Sequence, residues 1–191
     1  MLKSRPLLWL ILALPGAWIL DQWALTPDSY GYGHAIADSG DWAAWLLMGT
    51  LAVTPIRLAF PRRAWTGLLM RRRRDLGVAS FAYAAGHTII YLYHKASFEL
   101  VIADIDMPEL AVGWLALALF VPLAATSSDK AVRALRRRWK LLHRLVYPAA
   151  VLTFLHWVLS AFDPTTAYIH IVILAVIEIV RLWIQWRQRV T

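Results

Sequence analysis

Six apolar runs, at approximately 7–25, 42–60, 76–95, 108–125, 144–162 and 168–186, constrain this chain more than any other feature. Each is close to the roughly 20 residues that a helix needs to cross the hydrocarbon core of a bilayer. Inside that core every backbone polar group needs a partner within the protein, which a helix supplies along its own length. The pattern therefore predicts an all-α integral membrane protein, a bundle of six transmembrane helices. Composition agrees, with 60% hydrophobic residues and a mean hydropathy of +0.53, far above a soluble domain.

The charges lie in short blocks between these runs and set their direction. With the N-terminus in the cytoplasm, the inner side collects 19 of the 20 Lys and Arg residues, leaving Lys95 alone outside. Cytoplasmic loops carry such an excess, so both termini are expected to be cytoplasmic. The outer segments are acidic instead, with Asp28, Asp38, Asp41, Glu99, Asp104, Asp106, Glu109 and Asp163. The formal +8 thus reflects topology rather than nucleic-acid binding. The first run follows Lys3 and Arg5, is too long for a signal-peptide core and lacks a clear small-x-small cleavage site, so a retained anchor is expected. Pro15 and Gly16 should disturb this span, and neighbouring helices would have to satisfy the freed backbone groups.

The connecting segments, the longest at 26–41 and 61–75, are too short to fold as separate domains. Neither a G-x-G-x-x-G, a P-loop nor an H-E-x-x-H motif is present. The absence of cysteine excludes iron–sulfur clusters, thiolate-ligated haem, a C-x-x-C-H haem attachment and disulfides. Before span five, residues 126–129 (TSSD) offer helix-capping oxygens. Val132, Leu135, Trp139, Leu142 and Val146 then form an apolar stripe on a basic segment, which predicts an interfacial amphipathic helix leading into the span.

Six histidines occur, and two of them share a depth. His87 lies 12 residues beyond Asp75, the last charge before span three, and His156 lies 12 residues beyond Arg144, the last charge before span five. At 1.5 Å per residue both are about 18 Å from the inner boundary, near the middle of the core. An ionisable residue at that depth is a functional candidate. Two uncharged imidazoles at one depth on parallel helices suit bis-axial ligation of a haem iron. Zinc ordinarily takes four ligands, and no third or fourth is available there. Small residues beside each histidine (Ser80, Ala84 and Gly86; Ala149, Thr153 and Ser160) leave room between helices. Ordinary interhelical hydrogen bonding is the alternative. His143, 13 residues before His156 at the inner interface, is a candidate for a second haem, for a phosphate or propionate contact, or for plain interfacial polarity. His94, seven residues after His87, is a candidate outer propionate contact or again interfacial. His34 and His170 read as interfacial polarity.

At these residues the chain resembles the MsrQ family, haem-binding membrane subunits of bacterial periplasmic methionine sulfoxide reductase systems within the ferric reductase-like transmembrane superfamily. The resembling pieces are WAAWLLMGTLAVTPIR at 42–57, RRDLG followed by His87, LAATSSD, and RRRWKLLHRLVY with His156 thirteen residues after His143. The resemblance implies that residues 1–191 form a single transmembrane haem-binding domain in the bacterial inner membrane. It implies b-type haem, one or two copies, with His87 and His156 as axial ligands of the iron and a further haem role for His143. It also implies flavin mononucleotide in some members, with Arg73 and Arg74 placed to hold its phosphate. The chain would then relay electrons from a cytoplasmic flavin reductase or the quinol pool to a periplasmic molybdenum-containing methionine sulfoxide reductase, which repairs oxidised envelope proteins. Sulfoxide reduction itself would belong to that partner. The family's K-R-P-[YF] motif before span four is replaced here by DIDMPELAVGW at 104–114. Two alternatives are a transmembrane ferric or metal reductase and a non-redox transporter or scaffold in which Glu178 and Arg181 pair within span six.

The charge partition has a direct test. A periplasm-dependent reporter fused after Thr191 is expected to be silent and one inserted near Asp104 active. The opposite pattern would reverse the orientation of every span.

Overall fold

A computed structural model describes residues 4–190, with side chains through residue 187. Lys3 and the side chain of Arg189, both counted in the charge partition, lie outside that description. The described residues are helical nearly throughout, and no strand occurs among them. The helices are α1 (Arg5–Leu25), α2 (Pro27–Tyr30), α3 (Tyr32–Ala59), α4 (Ala64–Lys95), α5 (Phe98–Ala103), α6 (Pro108–Ala125), α7 (Asp129–Leu135), α8 (Arg137–Leu142), α9 (Val146–Ser160) and α10 (Thr165–Val190). Short 3₁₀ turns at Asp104–Asp106 and His143–Leu145 lead into α6 and α9.

Five segments are long and apolar enough to span a bilayer: Arg5–Leu25, Tyr32–Ala59, Pro108–Ala125, Arg137–Ser160 and Thr165–Arg187. The chain is thus a multi-pass helical membrane protein. The expected third span lies within α4, which at 32 residues has ample length. Its hydropathy is diluted by Arg71, Arg72, Arg73, Arg74 and Asp75 at one end and by Ser80, His87, Thr88 and the three tyrosines Tyr83, Tyr91 and Tyr93 along the rest. Arg73, Arg74, Asp75, Ser80, Tyr83, His87 and Tyr91 among these bind it to other segments, so a helix committed to the bundle interior reads as less apolar than one facing lipid. The outer surface has the opposite character: Leu10, Leu14, Val151, Val172, Val176 and Ile179 are all more than half exposed. In water such a surface would drive aggregation; in a bilayer it is the solvated face.

α3 packs along α4 and α6 along α9, with α10 against α3 and α1 against α3 and α4. One apolar cluster, Leu47 and Leu51 of α3, Phe120 and Leu123 of α6, and Ala149 and Ala150 of α9, joins the two pairs. Another, built on Ile19, Tyr30, Ala35 and Ile90, fastens α1 to α3 and α4.

Three local features differ from the sequence pattern. The long connection expected at 26–41 is mostly helix, because α3 begins at Tyr32; that expected at 61–75 shrinks because α4 begins at Ala64. The amphipathic segment before span five is not one helix. Ser128 caps α7 as its composition suggests, its Oγ accepting from the Ala131 N–H at 3.1 Å. At Arg136, however, the backbone turns to φ 48°, ψ −117°, and α8 starts afresh. The apolar stripe continued across this break because stripe spacing records which side chains face the bundle, not whether the hydrogen-bond ladder is unbroken.

Pro15 lies within α1 without ending it. The Tyr83 hydroxyl of α4 donates to the Leu12 carbonyl at 2.7 Å and accepts from the Gly16 N–H at 2.8 Å. These are an i, i+4 carbonyl–amide pair of the helix, met here by a hydroxyl from its neighbour, as the proline was expected to require. A Cβ on Gly16 would stand 3.3 Å from that oxygen, so glycine permits the approach. At the inner end Arg5 Nη2 reaches Asp75 Oδ1 at 2.9 Å, with its Nε at 3.0 Å, and fixes the start of α1 to α4. Tyr83→Phe keeps the ring and removes both hydrogen bonds. A loss of about 1–2 kcal/mol is expected in detergent unfolding; unchanged stability would mean that the hydroxyl is dispensable at the proline.

Candidate functional site

A cavity of about 610 Å³ opens between α3, α4, α6 and α9. That volume falls in the range of cofactor sites. Ala43, Ala44, Ser80 and Ala116, all buried, contribute small walls, and Leu117, Phe120, Trp114 and Trp157 contribute apolar ones. Ser80 takes no hydrogen-bonding capacity from the space, since its Oγ donates to the Ala43 carbonyl at 2.8 Å.

His87 and His156 both line this cavity. Their ring centroids are 6.1 Å apart and their planes cross at 87°. His87 directs Nδ1 to the Ile36 carbonyl of α3 at 2.9 Å, and His156 directs Nδ1 to the Glu109 carbonyl of α6 at 2.6 Å. A carbonyl only accepts, so each Nδ1 carries the proton and each Nε2 keeps its lone pair. The donor set is therefore two neutral imidazoles with free Nε2 atoms. Two imidazoles bound to one metal from opposite sides at about 2.0 Å would have centroids roughly 6 Å apart. Among the described residues, no group of three or more potential metal-binding side chains forms. The arrangement fits a flat cofactor whose metal takes two axial nitrogens and whose other bonds are its own.

The remaining candidates lie elsewhere. His143 sits in the turn before α9 at the inner end and does not line the cavity. Its Nε2 is 3.0 Å from Thr126 Oγ1, and its ring stacks on Trp139 with centroids 3.9 Å apart. Trp139 in turn donates Nε1–H to the Thr126 carbonyl at 2.9 Å, so the three residues tie α8 and the turn to the end of α6. His94 stacks on Tyr32, a cavity-lining residue, at 3.7 Å and 10°. Arg73 donates Nε–H to the Thr50 carbonyl at 3.0 Å, and Arg74 pairs with Asp129. Asp129 is held below the usual carboxylate range chiefly by the hydrogen bond from Arg74. His170 accepts from Trp45 Nε1 at 3.1 Å and His34 stacks near Tyr30, both outside the cavity. In α10 the pair Glu178–Arg181 forms at 2.8 Å, with Arg181 also bonded to the Tyr147 hydroxyl.

Sequence reasoning missed the outer end of α4. Asp104 is buried, ion-paired with Lys95, and accepts from the Tyr91 hydroxyl at 2.7 Å. The signal was present: Lys95 is the one basic residue that the charge partition leaves on the side expected to be outer, and Asp104 opens the segment 104–114 singled out in the sequence. The segment 104–114 is thus anchored to α4 by Asp104.

The chain matches the model of the ferric reductase like transmembrane component over residues 39–154. That stretch covers α3 from Ser39 through α4 and α6 to Phe154 of α9, the four helices that enclose the cavity. Its class is accordingly the ferric reductase-like transmembrane proteins. Curated relatives narrow this. A protein-methionine-sulfoxide reductase heme-binding subunit MsrQ from Polaromonas naphthalenivorans is 33% identical over 203 residues, 98% of this chain and 89% of that one. The MsrQ of Ralstonia nicotianae is 38% identical over 84% of this chain and 76% of its own length. That of Rhodospirillum rubrum is 44% identical over 63% and 58% respectively. The chain belongs to the MsrQ family.

The Asp104 cluster yields a pH dependence. The hydrogen bond from Lys95, then that from Tyr91, hold the Asp104 carboxyl below its ordinary value. A depressed folded-state value means that its stabilisation is complete above about pH 4 and is lost as pH falls through the lower, folded value. Melting curves in detergent should therefore show the wild type losing stability below about pH 4 more steeply than Asp104→Asn. Parallel curves would remove Asp104 from the acid response.

Proposed function

We propose that this chain is the membrane haem subunit of a methionine sulfoxide reductase system, one domain of six spans with both termini in the cytoplasm, carrying electrons across the bacterial inner membrane. The donor would be a cytoplasmic flavin reductase or the quinol pool. The acceptor would be a periplasmic molybdenum-containing reductase that repairs oxidised methionine in envelope proteins. The printed names of the relatives, as heme-binding subunits, support the cofactor. The observation that carries the reading is the His87–His156 pair, 6.1 Å apart across one cavity.

Bound there, b-type haem would supply the one-electron carrier, and the chain's part is ligation and environment. His87 and His156 would offer Nε2 from opposite sides, oriented by the carbonyls of Ile36 and Glu109. Hydrogen bonds from ligating imidazoles to carbonyls raise ligand basicity and fix the ring. The apolar walls would limit water around the bound group and, together with its ligands, would tune its potential. His94, stacked on the cavity-lining Tyr32, would be the contact for a haem propionate. Flavin mononucleotide, where bound, would be held through its phosphate by Arg73 and Arg74, which here bond the Thr50 carbonyl and Asp129 with part of their N–H groups. His143, bonded to Thr126 and stacked on Trp139, is assigned to the inner end and not to the central ligand set.

The absorption spectrum of the purified, haem-loaded protein tests this. His87→Ala and His156→Ala should each abolish the same low-spin component, because each removes a ligand of one iron, whereas His143→Ala should leave that component intact. Loss in His143→Ala with retention in His156→Ala would mean that the pairing is wrong; a wild type without a Soret band would remove haem altogether.

A further inference from the structure

The two histidines are held by one device used twice. His87 of α4 donates to the carbonyl of Ile36; four residues on is Gly40, where a Cβ would come within 3.1 Å of His87 Nδ1 and 3.3 Å of Cε1. His156 of α9 donates to the carbonyl of Glu109; four residues on is Gly113, where a Cβ would come within 2.9 Å of His156 Nδ1 and 3.0 Å of Cε1. Residues i and i+4 share a helix face, so carbonyl and glycine form one cradle on the helix that each histidine packs against. The local sequences, IADSG at 36–40 and ELAVG at 109–113, share only the glycine, and the other element is a backbone atom. Contacts below 3.0 Å are essentially never made by real Cβ atoms, so alanine at 113 would force the ring aside. Other glycines of these helices are under no such demand: a Cβ at Gly49 or Gly86 would meet nothing within 4 Å.

We infer that Gly40 and Gly113 are positioning residues that, with the carbonyls of Ile36 and Glu109, hold the two imidazoles with their planes crossed so that both Nε2 atoms address one axial site. This rests on the haem reading above. The carbonyl sets the direction of Nδ1–H, and the bare Cα lets the Nδ1–Cε1 edge approach the neighbouring backbone. Together they restrict rotation about the ring's own axis. The rings cross at 87° in consequence. Mutual orientation of axial imidazoles determines how the ferric d orbitals split. Crossed planes leave two of them nearly degenerate and give a highly anisotropic low-spin resonance, while parallel planes give a rhombic three-line spectrum.

The test uses the full-length, haem-loaded protein in detergent and compares wild type, Gly40→Ala, Gly113→Ala and the control Gly49→Ala by electron paramagnetic resonance and by redox titration. Wild type and Gly49→Ala are expected to give the same anisotropic signal and the same potential. Gly113→Ala should move the signal towards a rhombic or high-spin form and shift the potential, and Gly40→Ala should do the same to a smaller extent, following its wider closest approach of 3.1 Å against 2.9 Å. If Gly113→Ala does not accumulate as folded protein, Gly40→Ala alone carries the comparison. A rhombic wild-type signal, or glycine variants with wild-type signal and potential, overturns the inference while loss of the low-spin component in His87→Ala and His156→Ala leaves the haem reading standing. Retention of that component in both histidine variants overturns the reading, and the inference with it.

Discussion

A polar group within the hydrocarbon has no water to bind, so every one of them must be answered by another part of the chain. That requirement organises this bundle more than apolar contact does, because lipid tails attract an apolar side chain about as well as a neighbouring helix would. The answering groups are mostly backbone carbonyls. Ser80 binds that of Ala43, Tyr83 that of Leu12, His87 that of Ile36, His156 that of Glu109 and Arg73 that of Thr50. Three of these five originate in the stretch of α4 from Ser80 to His87, and each fastens it to α1 or α3. The helix with the weakest membrane signal is thereby the one most firmly tied into the bundle, and it carries a histidine of the site.

The same requirement separates the two ends of the molecule. Charged side chains cluster where headgroups and water are near, and there they pair: Arg5 and Arg72 with Asp75, Arg74 with Asp129, Lys95 with Asp104. Of these, the Arg74–Asp129 pair is exposed and contributes little to stability, whereas Asp75 and Asp104 are buried. Three of them join separate segments, Arg5 to Asp75 linking α1 and α4, Arg74 to Asp129 linking α4 and α7, and Lys95 to Asp104 linking α4 to the turn before α6. Between these levels the cavity is left with two neutral imidazoles and small or apolar walls. Asp41 is the only carboxylate among its lining residues.

The histidine pair was legible because helical rise is a fixed quantity: counting 12 residues from each inner charge placed both rings at one depth before any contact was known. The bundle class was legible from run length for the same reason. What orients the rings was not, since the partners at Ile36 and Glu109 are carbonyls, identical at every residue and invisible to side-chain pattern. The glycines carried no better signal, nine being scattered through the sequence with nothing to distinguish Gly40 from Gly49. The break at Arg136 was hidden because arginine has no preference for positive φ; the tertiary packing of Trp139 and His143 on Thr126 holds the chain there. The Tyr83 bridge was half legible, since Pro15 announced a need but not who would meet it.

The pair Glu178–Arg181 shows how far polarity in a span can be read as function. Desolvating two charges costs more than their attraction returns unless further hydrogen bonds complete the set. Here the set is incomplete: Arg181 also binds the Tyr147 hydroxyl and lies 4.6 Å over its ring, yet Glu178 Oε1 and Arg181 Nε have no hydrogen-bond partner. Such a pair is a poor source of stability and a better source of specificity, because sliding α10 past α9 would break the contact of Arg181 with Tyr147. The transporter or scaffold alternative takes this pair as its feature within span six. The contact with Tyr147 joins α10 to α9 one residue before Pro148 and nine before His156. By fixing α10 against that stretch of α9, it holds the helix that presents His156 to the cavity at a single height.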